Sequence, residues 1–392
     1  MPHRAGTGAL RSWRPRAWAL AAFLFALPAA AADLDAALDA LAAHYGERFP
    51  GAIFTGGLEP VAGCGDARRL ETEGLLGPST GPLVFDHGEV REHAVVLTHG
   101  LSDSPFFLCA LALRLYEAGA NVVLPLLTGH GRSAVLPEGN SDDLVLAWQQ
   151  DALAGLEFAA QRGERVSTGG LSTGGVLAAW LWTERPETVD GGILLFSAAF
   201  DFSTRLRLAA ACAGTPAERD PGPWWRRWCY DFLADRARSA EASWIWTLVN
   251  PYRIAFSEFQ ALHLGFLRRE TVRRLETQPL SAPLFVAHSV ADQTAPIAGV
   301  DALVAGHAAP ERVVRMTLDD TRRANCRELM GDCSAAAPPA AACGIPHSSV
   351  VLQSPIRAPG NGAICEVANP LFDAMAEAAV AFLRELPPAD AP

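Results

Sequence analysis

A serine between two glycines is the first residue of this chain whose setting indicates chemistry. Ser172 stands in Gly-Leu-Ser-Thr-Gly, after the strand-like run "ERVSTGG" and before the helix-like run "GGVLAAWLWTERP". A sharp strand-to-helix turn needs small neighbours, exposes the serine hydroxyl, and places it at a helix N-terminus that favours negative charge. Because the pentapeptide also recurs by chance, a purely structural turn is the alternative to a nucleophile.

A serine nucleophile needs a base, and a histidine base needs an orienting acid. His347, in "CGIPHSSVV", lies in a loop beyond the last strong strand, where an open α/β sheet places reactive groups. Asp292, in "FVAHSVADQTAP", follows an earlier strand and could hold the imidazole tautomer. Asp319 and Asp320, one strand later, are the rival acids, and a surface-loop histidine is the alternative for His347.

An acyl-transfer site also needs donors for an oxyanion. The loop "THGLSDSP" follows the first strong strand, so the backbone N–H of Leu101 could point at the developing charge. The N–H of Thr173, directly after the nucleophile, would be the second donor. We expect His99 to shape this loop through hydrogen bonds rather than to transfer protons.

Strand-like and helix-like runs alternate around these residues. The strand-like runs cover residues 94–100, 121–127, 191–200, 282–290 and 312–318, and the helix-like runs cover 104–120 and 141–163, the latter with Ser141 as its cap. This alternation predicts an α/β fold with a mostly parallel central sheet flanked by helices.

Residues 201–280 interrupt the alternation and predict a helical insertion between core segments 94–200 and 281–392. The insertion contains five of the ten tryptophans. They suggest an apolar roof that binds an acyl or aromatic substrate, with packing of the insertion on itself as the equal alternative. These residues are Trp224, Trp225, Trp228, Trp244 and Trp246.

The N-terminus predicts export. Residues 1–32 combine a basic start with the short apolar run "AWALAAFLFAL" and a cluster of alanines suited to signal peptidase. An uncleaved anchor is the alternative. Residues 33–93 form an extension without a recognisable motif. No later apolar segment is long enough to predict a spanning helix, so we expect a mature chain without stable membrane insertion.

Composition excludes several classes of function. The formal net charge of −11 disfavours a nucleic-acid partner or an anionic membrane surface. The chain contains no lysine, which excludes a Ser-Lys dyad and a Schiff-base lysine. Its eight cysteines form no C-x-x-C pair, so neither a metal nor a cofactor is expected.

An even cysteine count in an exported chain favours disulfides. Proximity in sequence suggests Cys212 with Cys229, Cys326 with Cys333, and Cys343 with Cys365, while Cys109 in its apolar run could be a buried thiol. His347 lies on a long Ala/Pro-rich segment. We therefore hypothesise that a disulfide among the last four cysteines fixes the loop that carries it.

The order Ser…Asp…His behind a His-Gly loop resembles the α/β-hydrolases. The similarity is strongest to the branch of monoacylglycerol lipases, bacterial carboxylesterases and serine aminopeptidases, and the matching segments are "VVLTHGLSDSP", "LLTGHGRS", "AWQQD", "GLSTGG", "ADQTAP" and "HSSV". The resemblance implies an α/β-hydrolase fold, an eight-stranded type of core, and a helical cap inserted near Phe200.

The resemblance also implies a function, an exported serine hydrolase that acts on a small acyl ester through Ser172, Asp292 and His347. A serine aminopeptidase is the second reading. It would need an acidic residue in the cap to bind an ammonium group, and Asp231, Asp235 and Glu241 are available. A catalytically silent hydrolase fold used for binding is the third.

Overall fold

The computed structural model describes most of the chain. The described residues are 34–55, 64–65, 67–72, 75, 79–131, 140–202, 204–213, 223–239, 258–319, 344–357 and 364–386. The predicted signal segment lies outside them, and so do these residues singled out above: Trp244, Trp246, Glu241, Asp320, Cys326, Cys333 and Cys343.

A nine-stranded sheet forms the centre of the fold. Its strands are β1 (Ile53–Thr55), β2 (Arg68–Glu71), β3 (Leu83–Phe85), β4 (Arg91–Thr98), β5 (Asn121–Leu124), β6 (Gly163–Leu171), β7 (Ile193–Phe196), β8 (Leu284–Ser289) and β9 (Val313–Leu318). They lie in the order β1-β2-β3-β5-β4-β6-β7-β8-β9. From β5 to β9 every pairing is parallel, whereas β1, β2 and β3 pair antiparallel. The predicted mostly parallel sheet is confirmed.

Helices lie on both faces of the sheet. They are α1 (Leu34–Gly46), α2 (Cys109–Glu117), α3 (Leu144–Arg162), α4 (Thr173–Glu184), α5 (Thr204–Cys212), α6 (Trp224–Ser239), α7 (Glu258–Thr277), α8 (Ala298–Ala305) and α9 (Phe372–Arg384). A short antiparallel hairpin, β10 (Ile356–Arg357) with β11 (Ile364–Glu366), precedes α9.

Strand β4 shows why the sheet is covered on both faces. Its central residues are all buried, and successive side chains of a strand point to opposite faces. Ala94 and Val96 accordingly join the apolar cluster that includes α1, α3 and α4. Val95 and Leu97 join the second cluster, formed with α2 and α9. A continuous apolar run is typical of such a two-faced parallel strand.

The structure differs from the sequence prediction in several details. Helix α3 begins at Leu144 with Asp143 at its N-cap, not with Ser141, whose hydroxyl instead accepts a hydrogen bond from the Asp143 N–H at 3.2 Å. Among the described residues the sheet has nine strands rather than eight, because segment 33–93, in which the sequence showed no motif, supplies β1, β2 and β3. Segment 201–280 contains helices α5, α6 and α7.

Two disulfides join described cysteines. Cys212–Cys229 links α5 to α6 and confirms the pairing predicted from proximity. The prediction of a buried thiol at Cys109 is wrong, since Cys109 pairs with Cys64 in the N-terminal segment. A disulfide among the four later cysteines stays a prediction, because three of them and the side chain of Cys365 lie outside the described residues.

Loss of the Cys64–Cys109 disulfide should lower stability more than loss of Cys212–Cys229. The first closes a sequence separation of 45 residues and the second one of 17. In the chain-entropy model a crosslink of this kind stabilises by roughly 2–4 kcal/mol, and the longer loop contributes about 1 kcal/mol more. Comparing the melting temperatures of the two paired Cys→Ala variants tests the order. A larger loss in the Cys212/Cys229 variant would contradict it.

None of the described helices is both long enough and apolar enough to cross a membrane.

Candidate active site

Ser172 occupies a strained turn between β6 and α4. Its backbone has φ +56° and ψ −114°, which side-chain-bearing residues rarely adopt. The turn is fixed from both sides, because the Ser172 N–H donates to the Phe196 carbonyl at 3.1 Å and its carbonyl accepts from the Ala199 N–H at 3.0 Å. A Cβ on Gly174 would lie 1.8 Å from the Thr98 carbonyl oxygen, which explains why that position needs glycine.

The structure brings His347 and Asp292 together. His347 Nδ1 lies 2.6 Å from Asp292 Oδ2, and the Asp292 side chain is fully buried. The second carboxylate oxygen, Oδ1, accepts hydrogen bonds from the Thr294 and Ala295 N–H groups, both at 2.9 Å. Asp292 follows β8, as predicted, and its carboxylate fixes which ring nitrogen of His347 carries the proton.

The electrostatics keep Asp292 ionised. Burial alone would raise the pKa of this carboxyl, but the charge of His347, its hydrogen bond and the Ala295 amide outweigh burial and hold the pKa below its ordinary value. A permanently charged carboxylate at this distance can stabilise an imidazolium formed during proton transfer.

Packing holds the segment that carries His347. Gly344 has φ +137°, and a Cβ there would lie 2.4 Å from Ala291 Cβ, so the chain passes tightly over the Asp292 loop. His347 then begins a short 3₁₀ turn in which Val350 and Val351 are completely buried. The side-chain amide of Asn369 donates to the Val350 carbonyl at 2.7 Å. These contacts hold the described part of the segment, and the predicted disulfide among the four later cysteines lies outside it.

The predicted oxyanion loop lies directly beside Ser172. A Cβ on Gly100 would be 3.1 Å from Ser172 Cβ, so the turn after β4 passes over the serine. Within the described chain, neither the Leu101 N–H nor the Thr173 N–H donates a hydrogen bond. For Thr173 this follows from its place in the first turn of α4, where helical N–H groups have no intrahelical partner. Both predicted donors are thus available to a ligand.

Two buried histidines brace this loop. The Leu127 N–H donates to His99 Nε2 at 3.1 Å, and His99 Nδ1 donates to the Gly100 carbonyl at 2.8 Å. The Ser102 N–H donates to His130 Nε2 at 3.2 Å, and His130 Nδ1 donates to the Thr128 carbonyl at 3.1 Å. The expected structural role of His99 agrees with these bonds, whereas sequence reasoning missed His130.

Both histidines are neutral because of where they lie. Burial, and then the neighbouring His130, lower the pKa of His99 well below its usual value. Burial lowers the pKa of His130 to about 4, against a weaker opposing effect of its hydrogen bond to Thr128. Only the neutral form can accept the Ser102 N–H at Nε2.

A buried carboxylate anchors the neighbouring loop after β5, which carries Thr128 and His130. Asp151, on α3, accepts hydrogen bonds from the Thr128 N–H at 2.6 Å and the Thr128 hydroxyl at 2.8 Å. It also contacts Arg48 at 2.5 Å and His44 at 2.8 Å, both from the N-terminal segment. Sequence reasoning did not assign this role, although "AWQQD" was among the segments that carried the resemblance.

Protonation of His130 gives a testable dependence of stability on pH. The unfolded chain binds this proton near pH 6.5, and the folded protein binds it only near pH 4. Between those values the unfolded state holds more protons, so stability should fall as pH drops from about 6.5 to about 4. Urea midpoints at several pH values, for the wild type and His130→Gln, would measure this. An identical slope in both proteins would contradict it.

The structure does not bring every predicted site residue into contact with the others. No hydrogen bond links Ser172 to His347; such contacts are often long in free enzymes and shorten with substrate. The rival acid Asp319 is exposed at the end of β9. Among the described residues no cluster of three potential metal ligands occurs.

The tryptophan roof is not supported for the described members of the set. Trp224, Trp225 and Trp228 are 82%, 44% and 65% exposed. Within α6, Trp228 stacks on the exposed Phe232, with 5.9 Å between the ring centres. The exposure of these three rings tests neither substrate binding nor the packing of the whole insertion, and both interpretations stay predictions.

The sheet order, the strained serine turn and the crossovers on both faces define an α/β-hydrolase fold. Residues 89–242 match the model of the family described as serine aminopeptidase, S33. The sequence resemblance to the α/β-hydrolases is confirmed.

A curated protein is similar to part of the chain. Over 120 residues the chain is 31% identical to the thermostable monoacylglycerol lipase of Bacillus sp. (strain H-257), a match that covers 31% of this chain and 45% of the relative. The matched segment therefore spans less than half of that protein.

Among solved structures, that of the metagenome-derived lipolytic enzymes LipS and LipT has a TM-score of 0.49 at 19% identity, covering 79% of this chain and 98% of the other. The monoacylglycerol lipase of Paleococcus ferrophilus gives 0.45 at 16% identity, covering 77% and 97%.

Proposed function

We propose that this chain is a serine hydrolase that cleaves carboxylic esters of small acyl substrates through an acyl-enzyme. The observation that carries the proposal is the 2.6 Å contact between His347 and the buried Asp292. Asp292 follows β8 at the carboxyl end of the sheet, where the strained Ser172 turn follows β6, and only β7 separates these two strands.

The geometry supports a definite division of roles. Asp292 accepts the Nδ1 proton of His347, which leaves Nε2 as the basic nitrogen for the Ser172 hydroxyl. Attack on the ester carbonyl would place negative charge near the Leu101 and Thr173 N–H groups. The imidazolium then protonates the departing alcohol, and water, activated by the same nitrogen, releases the acid and regenerates Ser172.

Two disulfides support an exported protein. Bonds such as Cys64–Cys109 and Cys212–Cys229 persist in oxidising compartments. Together with the signal-like sequence of residues 1–32, they support a periplasmic or secreted location for the hydrolase.

Aminopeptidase activity is the second candidate, favoured by the match of residues 89–242 to a serine aminopeptidase model. That reaction needs a carboxylate for the substrate ammonium. In the described part of α6, Asp231 and Asp235 are exposed, and Asp231 pairs with Arg227 at 3.0 Å. Neither provides a buried carboxylate, so the ester reading is preferred.

One experiment separates the three readings. The exported protein is first treated with a fluorophosphonate probe, which should label Ser172 as judged by peptide mass. Absence of labelling would favour a silent binding fold. Initial rates are then measured on acyl esters of increasing chain length and on aminoacyl amides. We expect ester turnover to dominate, and faster turnover of the amides would overturn the ester assignment.

A further inference from the structure

A second cavity lies away from the Ser172 site, between α7, α8 and the chain that follows β7. Its volume is about 470 Å³, within the roughly 300–1,000 Å³ typical of small-molecule sites. None of the residues assigned to the triad or the oxyanion donors lines it. Its apolar wall consists of Val272, Leu275, Leu280 and Leu303.

Two arginines face this cavity. Arg268, on α7, is half-buried and is held in place because its Nε donates to the Phe200 carbonyl. Its guanidinium also lies 5.7 Å from the centre of the Phe202 ring. The terminal nitrogens of Arg268 have no hydrogen-bond partner among the described residues. Arg207, on α5, lines the same cavity.

The carboxylate of Asp201 interacts electrostatically with both guanidinium groups. Asp201 pairs with Arg207 at 3.2 Å, and its Oδ1 accepts the Phe202 N–H at 2.8 Å. Asp201 and Arg207 are the charges that act on Arg268. Glu276 also lines the cavity but is exposed to water. The two arginines and two carboxylates of the lining thus balance in charge, but Asp201 pairs with Arg207 and leaves the terminal nitrogens of Arg268 beside the apolar wall without a hydrogen-bond partner among the described residues.

We propose that this cavity binds a monocarboxylate with a hydrocarbon chain of medium length. A carboxylate accepts the parallel N–H pair of a guanidinium in a bidentate contact, and the unpaired terminal nitrogens of Arg268 offer one such contact. The apolar wall takes the chain. Such an acid belongs to the same chemical class as the product of acyl-ester hydrolysis, but its binding here does not require Ser172 to react.

One wall of the cavity is close in sequence to the residues that hold the serine turn. Gly299 of α8 packs against the cavity wall, since a Cβ there would lie 2.3 Å from the Asp201 nitrogen. Two residues earlier, the Ala199 N–H holds the Ser172 carbonyl. The cavity wall at Asp201 is therefore two residues along the chain from the N–H group that holds the Ser172 carbonyl.

The test measures binding of octanoate by calorimetry to the full chain carrying Ser172→Ala, which removes turnover. We expect saturable binding that weakens by roughly tenfold or more in Arg207→Met and in Arg268→Met, the loss typical of a charge-assisted hydrogen bond. Arg273→Met, at an exposed arginine of the same helix, is the matched control and should bind normally. Octanol, which has the chain without the charge, should bind at least tenfold more weakly.

A cavity-filling variant keeps the test clear if Arg268→Met disturbs folding. Ala302 lines the cavity and is exposed, so Ala302→Phe should fold, as a thermal melt would verify, and should block octanoate. Equal binding in the Arg207, Arg268 and Ala302 variants would overturn the proposal and assign octanoate to another site. Equal affinity for octanol would also overturn it. Since no ester is cleaved here, failure of the ester-hydrolase proposal would leave this result unaffected.

Discussion

Ser172→Ala should remove nearly all ester hydrolysis while leaving the fold intact. Loss of a triad nucleophile typically reduces turnover by about 10⁶. The fold should survive because the Ser172 hydroxyl makes no hydrogen bond to any residue that the structure describes, and the turn is held by backbone contacts to Phe196 and Ala199 that alanine retains. Initial rates on the best ester of the panel, with circular dichroism on the same sample, measure both properties.

Ser167 offers a control in the same strand. It repeats the Ser-Thr-Gly-Gly pattern of Ser172, but its hydroxyl donates to the Gly191 carbonyl at 2.6 Å inside the sheet. Ser167→Ala should lower stability by about 1 kcal/mol with little change in turnover. Substantial activity in a folded Ser172→Ala protein, or a comparable loss in Ser167→Ala, would reject Ser172 as the nucleophile.

The centre of the fold could be predicted because its signals are local. The run before Ser172 contains the β-branched Val166 and Thr168, the glycines mark a tight turn, and the helix follows at once. In β4, each of four successive apolar residues is buried against one of the two helical layers. Such segments are recognisable without knowledge of what they contact.

The edge of the sheet could not be predicted, because its information is not local. Strands β1, β2 and β3 have only three or four residues each, too few to show a period. The Cys64–Cys109 disulfide was missed for a related reason. Pairing cysteines by nearness in sequence cannot find a bond that spans 45 residues, and α2 and the N-terminal segment meet only in the folded sheet.

The segment around His347 shows a different limit. Its composition suggested that crosslinks must order it. The structure anchors the described part through the buried Val350 and Val351 and the Asn369 hydrogen bond, and the disulfide stays a prediction. A few buried residues within a small-residue segment can supply the order that average composition does not reveal.

Asp292→Asn should lower turnover by up to roughly 10⁴ while leaving the fold intact. The asparagine can keep an oxygen toward the Thr294 and Ala295 N–H groups, which now bind Oδ1 at 2.9 Å. Its NH₂ group then faces His347 Nδ1 and donates to it. The imidazole proton must move to Nε2, the nitrogen that should accept the serine proton. The same geometry with the wrong tautomer leaves Ser172 without a base.

The measurement compares Asp292→Asn with Asp319→Asn across a range of pH. Asp319 follows the next strand and is exposed, so its variant should retain turnover close to wild type. In Asp292→Asn, fluorophosphonate labelling should slow together with ester hydrolysis, because both need an activated Ser172. A structural defect would instead lower the fraction of protein that can be labelled. A loss in Asp319→Asn with normal turnover in Asp292→Asn would show that the acid had been assigned to the wrong strand.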